Sequence, residues 1–210
     1  ARNSTWSFQA DTEQKLDFVA VNYYDGQGFM VPKSLRVTSA MELDDAPVCV
    51  QAGTTTALNL DDWFTANTLK YQPVRIDSNA EGEQQYLAGV CDAYTTDASG
   101  LAATRAAFAN PDDHVILPEI ISKEPLALVV RHGDNQWGDI VRWTFYALVA
   151  AEEYGITSAN LDEQAASSQN PEVERLLGRT GNLGAMIGLD ADWARRAIAV
   201  SGNYGEIFER

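Results

Sequence analysis

Residues 48–64 read VCVQAGTTTALNLDDWF: three apolar residues, a turn over Gln51, Ala52 and Gly53, then a threonine run opening a segment that carries Leu58, Trp63 and Phe64. The apolar triplet suits a buried strand, and a threonine is a good helix N-cap. This is a strand, glycine turn, helix unit, and it repeats. Tyr71 to Ile76 reads as a second strand, Asn79 opens a helix carrying Tyr86 and Leu87, and Val90 to Tyr94 reads as a third strand before a helix capped within Thr95 to Ser99. Strand and helix alternating at this spacing imply an α/β fold with right-handed crossovers and a parallel sheet, covering at least Pro47 to Leu117.

On the N-terminal side, Leu16 to Val31 clusters β-branched and aromatic residues around Asp25-Gly26 and Gly28, which predicts two extended segments with a bend, ended by Pro32. On the C-terminal side, His114 to Leu117 and Leu126 to Arg131 read as strands, separated by Pro118 and Pro125. From Asp134 to Tyr154 the apolar residues fall at three- and four-residue spacing, the strongest helix signal in the chain. Gly155 is placed as its C-terminal cap, and a further helix is expected from Thr157 or Ser158 to about Ala166. Asn170-Pro171 starts another that ends at Gly178. A last helix, Asp190 to about Val200, is expected to bury Trp193, Ala197 and Ile198.

The 210 residues carry 15 Lys+Arg against 30 Asp+Glu, a net charge of −15, with 45% hydrophobic residues. A surface this acidic disfavours nucleic acid and anionic membranes as partners, while the apolar content is ample for a core. No apolar run is long enough to span a bilayer. Ala1 in place of Met reads as a processed or trimmed end, with any export signal removed. Cys49 and Cys91 are too few for a metal knuckle and leave either one disulfide or two buried thiols.

The glycine turn ahead of Thr54 presents free N–H groups and a helix dipole to one spot, a ready anion site. It lacks the patterns of phosphate loops and dinucleotide folds, so a small carboxylate fits better than a nucleotide. The alternative is that Thr54 only caps its helix. Asp97 follows a strand at the carboxyl end, where open α/β sheets place ligands, and can accept from an ammonium group; an Asp there also serves commonly as a helix N-cap. Together the two ends make a receptor for a zwitterion. His114 and His132 stand without metal-ligand spacing and no hydrolase motif occurs, so no metal, cofactor or catalytic residue is expected.

The stretches Asn22 to Val31, Val48 to Gln51 with Gly53 to Thr56, Cys91 to Asp97, Leu117 to Leu126 and Gly202 to Glu206 together resemble the general L-amino-acid-binding proteins of proteobacterial ABC importers. The resemblance runs nearly end to end. It implies a type II periplasmic solute-binding fold, in which an amino acid is held between two hinged lobes, and hence periplasmic transport with inner-membrane permease partners rather than catalysis. By residue, it implies that Thr54 and Thr55 donate to the ligand carboxylate, with Gln51 and Gly53 beside them, and that Asp97 accepts from the ammonium. Asn3 and Thr5, within Arg2 to Thr5, would line the cleft from the first lobe. Cys49 and Cys91 would lie on adjacent strands in the 2-1-3 order of such sheets, where a disulfide and two buried thiols both stay open.

The resemblance further implies residues 1–30 as part of the first lobe with a hinge strand, 31–124 as a complete second lobe, and 125–210 as the return to the first. The first lobe is expected to be incomplete, lacking the segment that precedes Arg2. Where the family carries an arginine that forks onto the ligand carboxylate, this sequence has Ala10, a loss worth about 2–5 kcal/mol of binding. Two other readings accompany the carrier: an assembly module that forms homo-oligomers through the incomplete lobe, and a dehydratase-like enzyme on the same fold, for which neither histidine offers a placed acid or base.

Overall fold

The computed structural model describes residues 4–210. In chain order it contains β1 (Ser4–Thr5), α1 (Phe8–Thr12), β2 (Leu16–Asp25), β3 (Gln27–Pro32), β4 (Ala46–Gln51), α2 (Thr55–Ala66), β5 (Tyr71–Ile76), α3 (Asn79–Leu87), β6 (Ala93–Asp97), α4 (Ala98–Ala107), β7 (His114–Ile116) and β8 (Glu124–Arg131). The helices α5 (Asn135–Glu153), α6 (Leu161–Ser167), α7 (Pro171–Leu176), α8 (Leu183–Met186), α9 (Trp193–Ser201) and α10 (Tyr204–Phe208) follow. Two compact units divide the chain: Phe8–Ala20 with Ala127–Arg210 form one, and residues 4–7 with Val21–Leu126 form the other. Both β2 and β8 begin in one unit and end in the other, and they share a three-stranded sheet of order β1-β8-β2.

The unit built on Val21–Leu126 holds a five-stranded sheet of order β5-β4-β6-β3-β7. The three strands of its βαβαβ run, β4, β5 and β6, take the expected 2-1-3 arrangement: Cys49 pairs with Val74 on one side and Tyr94 on the other, both in parallel. The sheet is mixed rather than parallel throughout. The bent segment joins it, because β3 runs antiparallel to β6, with Phe29 opposite Thr95, and antiparallel to β7, with Val31 opposite Val115. The chain reaches this edge through a sharp turn at Gly26, where a Cβ would lie 2.3 Å from Ile120 Cγ2 and 2.7 Å from the Ser122 carbonyl; only glycine fits.

Two apolar clusters cover the two faces of this sheet. Phe29, Val48, Val50, Leu60 and Phe64 pack on one, and Met30, Cys49, Tyr86, Tyr94 and Leu101 on the other. The alternation of Val48 and Val50 against Cys49 is the period-2 pattern of a strand buried on both sides. Each large side chain removed from water contributes roughly 1.5–3 kcal/mol. Cys49 and Cys91 form a disulfide across a sequence separation of 42, with Cα atoms 5.6 Å apart.

The second unit is mainly helical, with Leu148, Ala151, Ile156, Leu161, Val173, Leu177 and Ile198 at its core. Asp134 caps α5 by accepting from the Trp137 N–H at 2.9 Å, and Gly155 closes that helix with φ +64°.

Several local expectations shift. The third strand is 93–97 rather than 90–94, because the Val90 N–H finishes α3 by donating to Gln85 and the Asp92 N–H turns aside to the Pro47 carbonyl; Cys91 therefore precedes the strand. The helix expected from residue 157 starts at Leu161, since Thr157 and Asn160 bond each other's backbone in a turn. The last long helix starts at Trp193 and buries Ile198 fully, leaving Trp193 and Ala197 half-buried.

Candidate functional site

In the sheet of Val21–Leu126, β4 is flanked by the next strand in sequence on one side and by β6 on the other, so the chain reverses its direction of progress there. Crevices outside the carboxyl ends of strands at such points are where α/β sheets bind ligands. The turn leaving β4 uses Gly53 at φ +70° and is tied back by the Ala52 N–H to the Ile76 carbonyl at 3.1 Å. Thr54 is the N-cap of α2: its hydroxyl accepts from the Ala57 N–H at 3.3 Å and donates to the Gln51 carbonyl at 2.8 Å. The Thr54 hydroxyl is spent on the helix, and what remains is the Thr55 hydroxyl with the first-turn N–H groups of Thr55 and Thr56, which no intrahelical carbonyl reaches. The Gln51 amide, expected beside the ligand, donates instead to the Asp77 carbonyl at 3.2 Å.

Asp97 ends β6 and occupies the N-cap position of α4, yet its side chain makes no capping bond. Asp25, at the end of β2, does that work: its carboxylate accepts from the Ser99 N–H at 3.3 Å and from the Ser99 hydroxyl, while the Ala98 N–H donates to the Gly26 carbonyl at 2.7 Å. Asp97 is thus half-buried with no hydrogen-bond or ion-pair partner among the described residues. Burial pushes its carboxyl up to about 6, and the negative charges of Asp25 and Glu124 push the same way. A half-buried carboxylate in the field of two further negative charges, with no cation paired to it, is a place where an ammonium group is stabilised.

Glu124 was not singled out by sequence reasoning. It is 2% exposed, and its carboxylate accepts from the Thr5 hydroxyl at 2.5 Å, from the Asn59 side-chain amide at 2.7 Å, and from the Ser122 hydroxyl. A lone acid directly before the apolar run Pro125 to Val130 was the available signal, since a carboxylate entering a core needs dedicated donors. These donors line an open pocket, with Thr55, Trp63 and Lys123, on the α2 side of the same unit. Thr5 therefore serves Glu124, and Asn3 lies outside the described residues. Nearby, the buried Gln27 donates to the Thr56 carbonyl and the Thr95 hydroxyl, both at 3.0 Å, pinning the first turn of α2 to β6. Ala10 lies in α1 and offers no charged group.

Both histidines are structural: His114 shares a hydrogen bond with the Tyr86 hydroxyl at 2.8 Å, and His132 lies 3.2 Å from Asp17. Among the described residues no group of three or more His, Cys, Asp or Glu is arranged to hold a metal ion.

No protein-family model matches the sequence. The chain is 70% identical over 208 residues to the glutamate/glutamine/aspartate/asparagine-binding protein BztA of Rhodobacter capsulatus, covering 99% of this chain and 62% of that protein. It is 55% identical over 212 residues to the general L-amino acid-binding periplasmic protein AapJ of Rhizobium johnstonii, again 62% of the relative. The chain thus spans about three-fifths of the length of these curated relatives. Among solved structures, an ABC transporter periplasmic binding protein from Brucella ovis with glutathione bound superimposes with a TM-score of 0.95 at 54% identity, covering 99% of this chain and 66% of that one. An ancestral arginine-binding protein bound to glutamine shares the fold at 23% identity, with a TM-score of 0.59.

Proposed function

The chain belongs, by similarity over its whole length, among the amino-acid-binding proteins of ABC importers and has their type II fold; from that premise we propose that its Val21–Leu126 unit grips the α-amino-acid head of a polar L-amino acid. The α-carboxylate sits against the Thr55 and Thr56 N–H groups and the Thr55 hydroxyl, at the positive end of α2. The α-ammonium sits on Asp97. The observation carrying this reading is that Asp25 caps α4 in Asp97's place, leaving Asp97 an unpartnered carboxylate held near two others. Glutamate, glutamine, aspartate and asparagine, named for the Rhodobacter relative, all present this head, and glutathione presents it at its γ-glutamyl end.

Binding rather than catalysis is the activity, in the periplasm, with delivery to the membrane subunits of an importer. Among the described residues no helix is long and apolar enough to cross a membrane. Calorimetric titration with the four polar amino acids tests the assignment. Binding that weakens at least about tenfold in Asp97→Asn supports it, since a charge-assisted contact is lost; binding unaffected by Asp97→Asn overturns it.

A further inference from the structure

Gln27 stands where the two ends of the head-group site meet. It is fully buried and lies directly opposite Asp97 in the antiparallel pairing of β3 with β6, so the two side chains share one face of the sheet, with Cβ atoms about 4.5–5.5 Å apart. That face is the one α2 covers, because Phe29, two residues on, packs with Leu60 and Phe64 of that helix. The Gln27 side-chain nitrogen donates to the Thr95 hydroxyl, two residues before Asp97, and to the Thr56 carbonyl in the first turn of α2, both at 3.0 Å. One nitrogen thus bridges the strand that carries Asp97 and the turn whose N–H groups face the carboxylate. The Thr54 cap ties this turn to β4 through the Gln51 carbonyl, and Gln27 ties it to β6.

The fold gains little from this amide. The Thr56 carbonyl lies in α2, where the Leu60 N–H reaches it, and the Thr95 hydroxyl already donates to the Gly28 carbonyl at 2.7 Å. Glu124 holds the same helix one turn later, through Asn59 at 2.7 Å. Against those spare bonds, Gln27 Oε1 is buried with no hydrogen-bond partner among the described residues, which costs stability. An apolar side chain of similar length would fill the space without that cost. It would not fix the distance from the first turn of α2 to β6. That distance matters for a ligand whose ammonium and carboxylate hang on the same carbon, because both contacts are made together only at one spacing.

We propose that Gln27 is a positioning residue that sets the spacing between the carboxylate end and the ammonium end of the site, and so makes it selective for α-amino acids over their β-homologues, whose head is one methylene longer. This rests on the assignment of Thr55, Thr56 and Asp97 to the head group; Gln27 itself touches no ligand atom. The test is a nitrogen-15 NMR titration of the chain with L-glutamine and with L-β-homoglutamine, in the native sequence, Gln27→Met and Thr95→Val, with urea unfolding of each. The native chain is expected to bind L-glutamine at least about tenfold more tightly than its homologue, because about 1 Å of misplacement suffices for such a loss. Gln27→Met is expected to weaken L-glutamine about tenfold, to leave the homologue within about twofold, and to hold or raise the urea midpoint. Thr95→Val takes away the β6 anchor of the same bridge, so it is expected to narrow the ratio in the same direction, and it carries the test should Gln27→Met not fold. Equal native affinities for the two probes, or a ratio unchanged in both variants, overturn the positioning role. So does a ratio unchanged while the urea midpoint falls, the mark of a side chain that only packs. Those outcomes leave the head-group reading standing where Asp97→Asn still weakens L-glutamine; binding of L-glutamine indifferent to Asp97→Asn overturns both.

Discussion

Asp25 and Ser99, 74 positions apart, are joined at the first turn of α4: the Asp25 carboxylate accepts from both the Ser99 N–H and the Ser99 hydroxyl. An acid at the end of β2 thereby takes the capping role that the local sequence offers to Asp97. The consequence is a division of labour between two aspartates, one structural and one open.

Replacing each separates the two roles. Asp25→Ala removes the cap and is expected to cost about 1 kcal/mol, measured by urea unfolding. It also removes one of the charges that raise the Asp97 carboxyl, so that group should titrate lower, visible as a shift of its carboxyl carbon resonance. For Asp97→Asn the sign is opposite. A carboxyl raised from 3.8 to about 6 is one whose proton the folded state holds more tightly, so it makes stability fall as pH rises from about 4 through about 6. At pH 7 the Asn variant should be more stable, by on the order of 1 kcal/mol after allowing for partial exposure, and near pH 4 the two proteins should converge.

Ligand affinity should follow the same group. An ammonium needs the ionised Asp97, so affinity for a polar amino acid is expected to be flat above pH 7 and to fall below about 6, approaching tenfold per pH unit. Binding at pH 6 should release about half a proton per ligand. Calorimetry in two buffers of different ionisation enthalpy checks this; identical heats in both at pH 6 count against Asp97 as the ammonium partner.

The disulfide between Cys49 and Cys91 closes a separation of 42 residues around the β4, α2, β5 and α3 units. The chain-entropy model gives about 4 kcal/mol for a loop of this size. Reduction, or the double change of both cysteines to Ala, should lower the stability of the Val21–Leu126 unit by about 2–4 kcal/mol in denaturant unfolding. A loss below about 1 kcal/mol would mean that the reduced unfolded chain is already compact.

Local pattern carried the elements wherever one signal dominated. The apolar stripe of α5 and the bend between β2 and β3 at Asp25-Gly26 rest on periodicity or turn chemistry within a few residues, whereas the 2-1-3 order around Cys49 is implied by the family resemblance. The misplacements arose where two local solutions competed: Val90 could extend a strand or finish a helix, and the Asp92 N–H found the Pro47 carbonyl. In the site the limit was different in kind. The cap at Thr54 is made by bonds within three residues, but whether Asp97 caps its helix or faces a ligand depends on Asp25, brought to α4 beside the pairing of β3 with β6, a contact across about 70 positions that no window of sequence contains. Glu124 is legible only as an anomaly, because its donors Thr5 and Asn59 come from 119 and 65 positions away.

That separation makes Glu124 the most informative single change. In Glu124→Gln one acceptor oxygen becomes an amide donor facing groups that themselves donate: the Asn59 amide and Ser122 hydroxyl on one oxygen, the Thr5 hydroxyl on the other. Only the orientation that turns the amide nitrogen to Thr5, whose hydroxyl then accepts instead of donating, satisfies both sets, and it exchanges charge-assisted hydrogen bonds for neutral ones in a buried site, so a loss of about 1 kcal/mol is expected in urea unfolding. The same change removes a negative charge that raises Asp97, whose carboxyl should therefore titrate below about 6. The two effects have different origins, packing of donors and long-range charge, and they should appear together. A Glu124→Gln variant that loses stability while Asp97 titrates unchanged would confine Glu124 to a scaffold role and leave Asp25 alone as the charge that tunes the ammonium site.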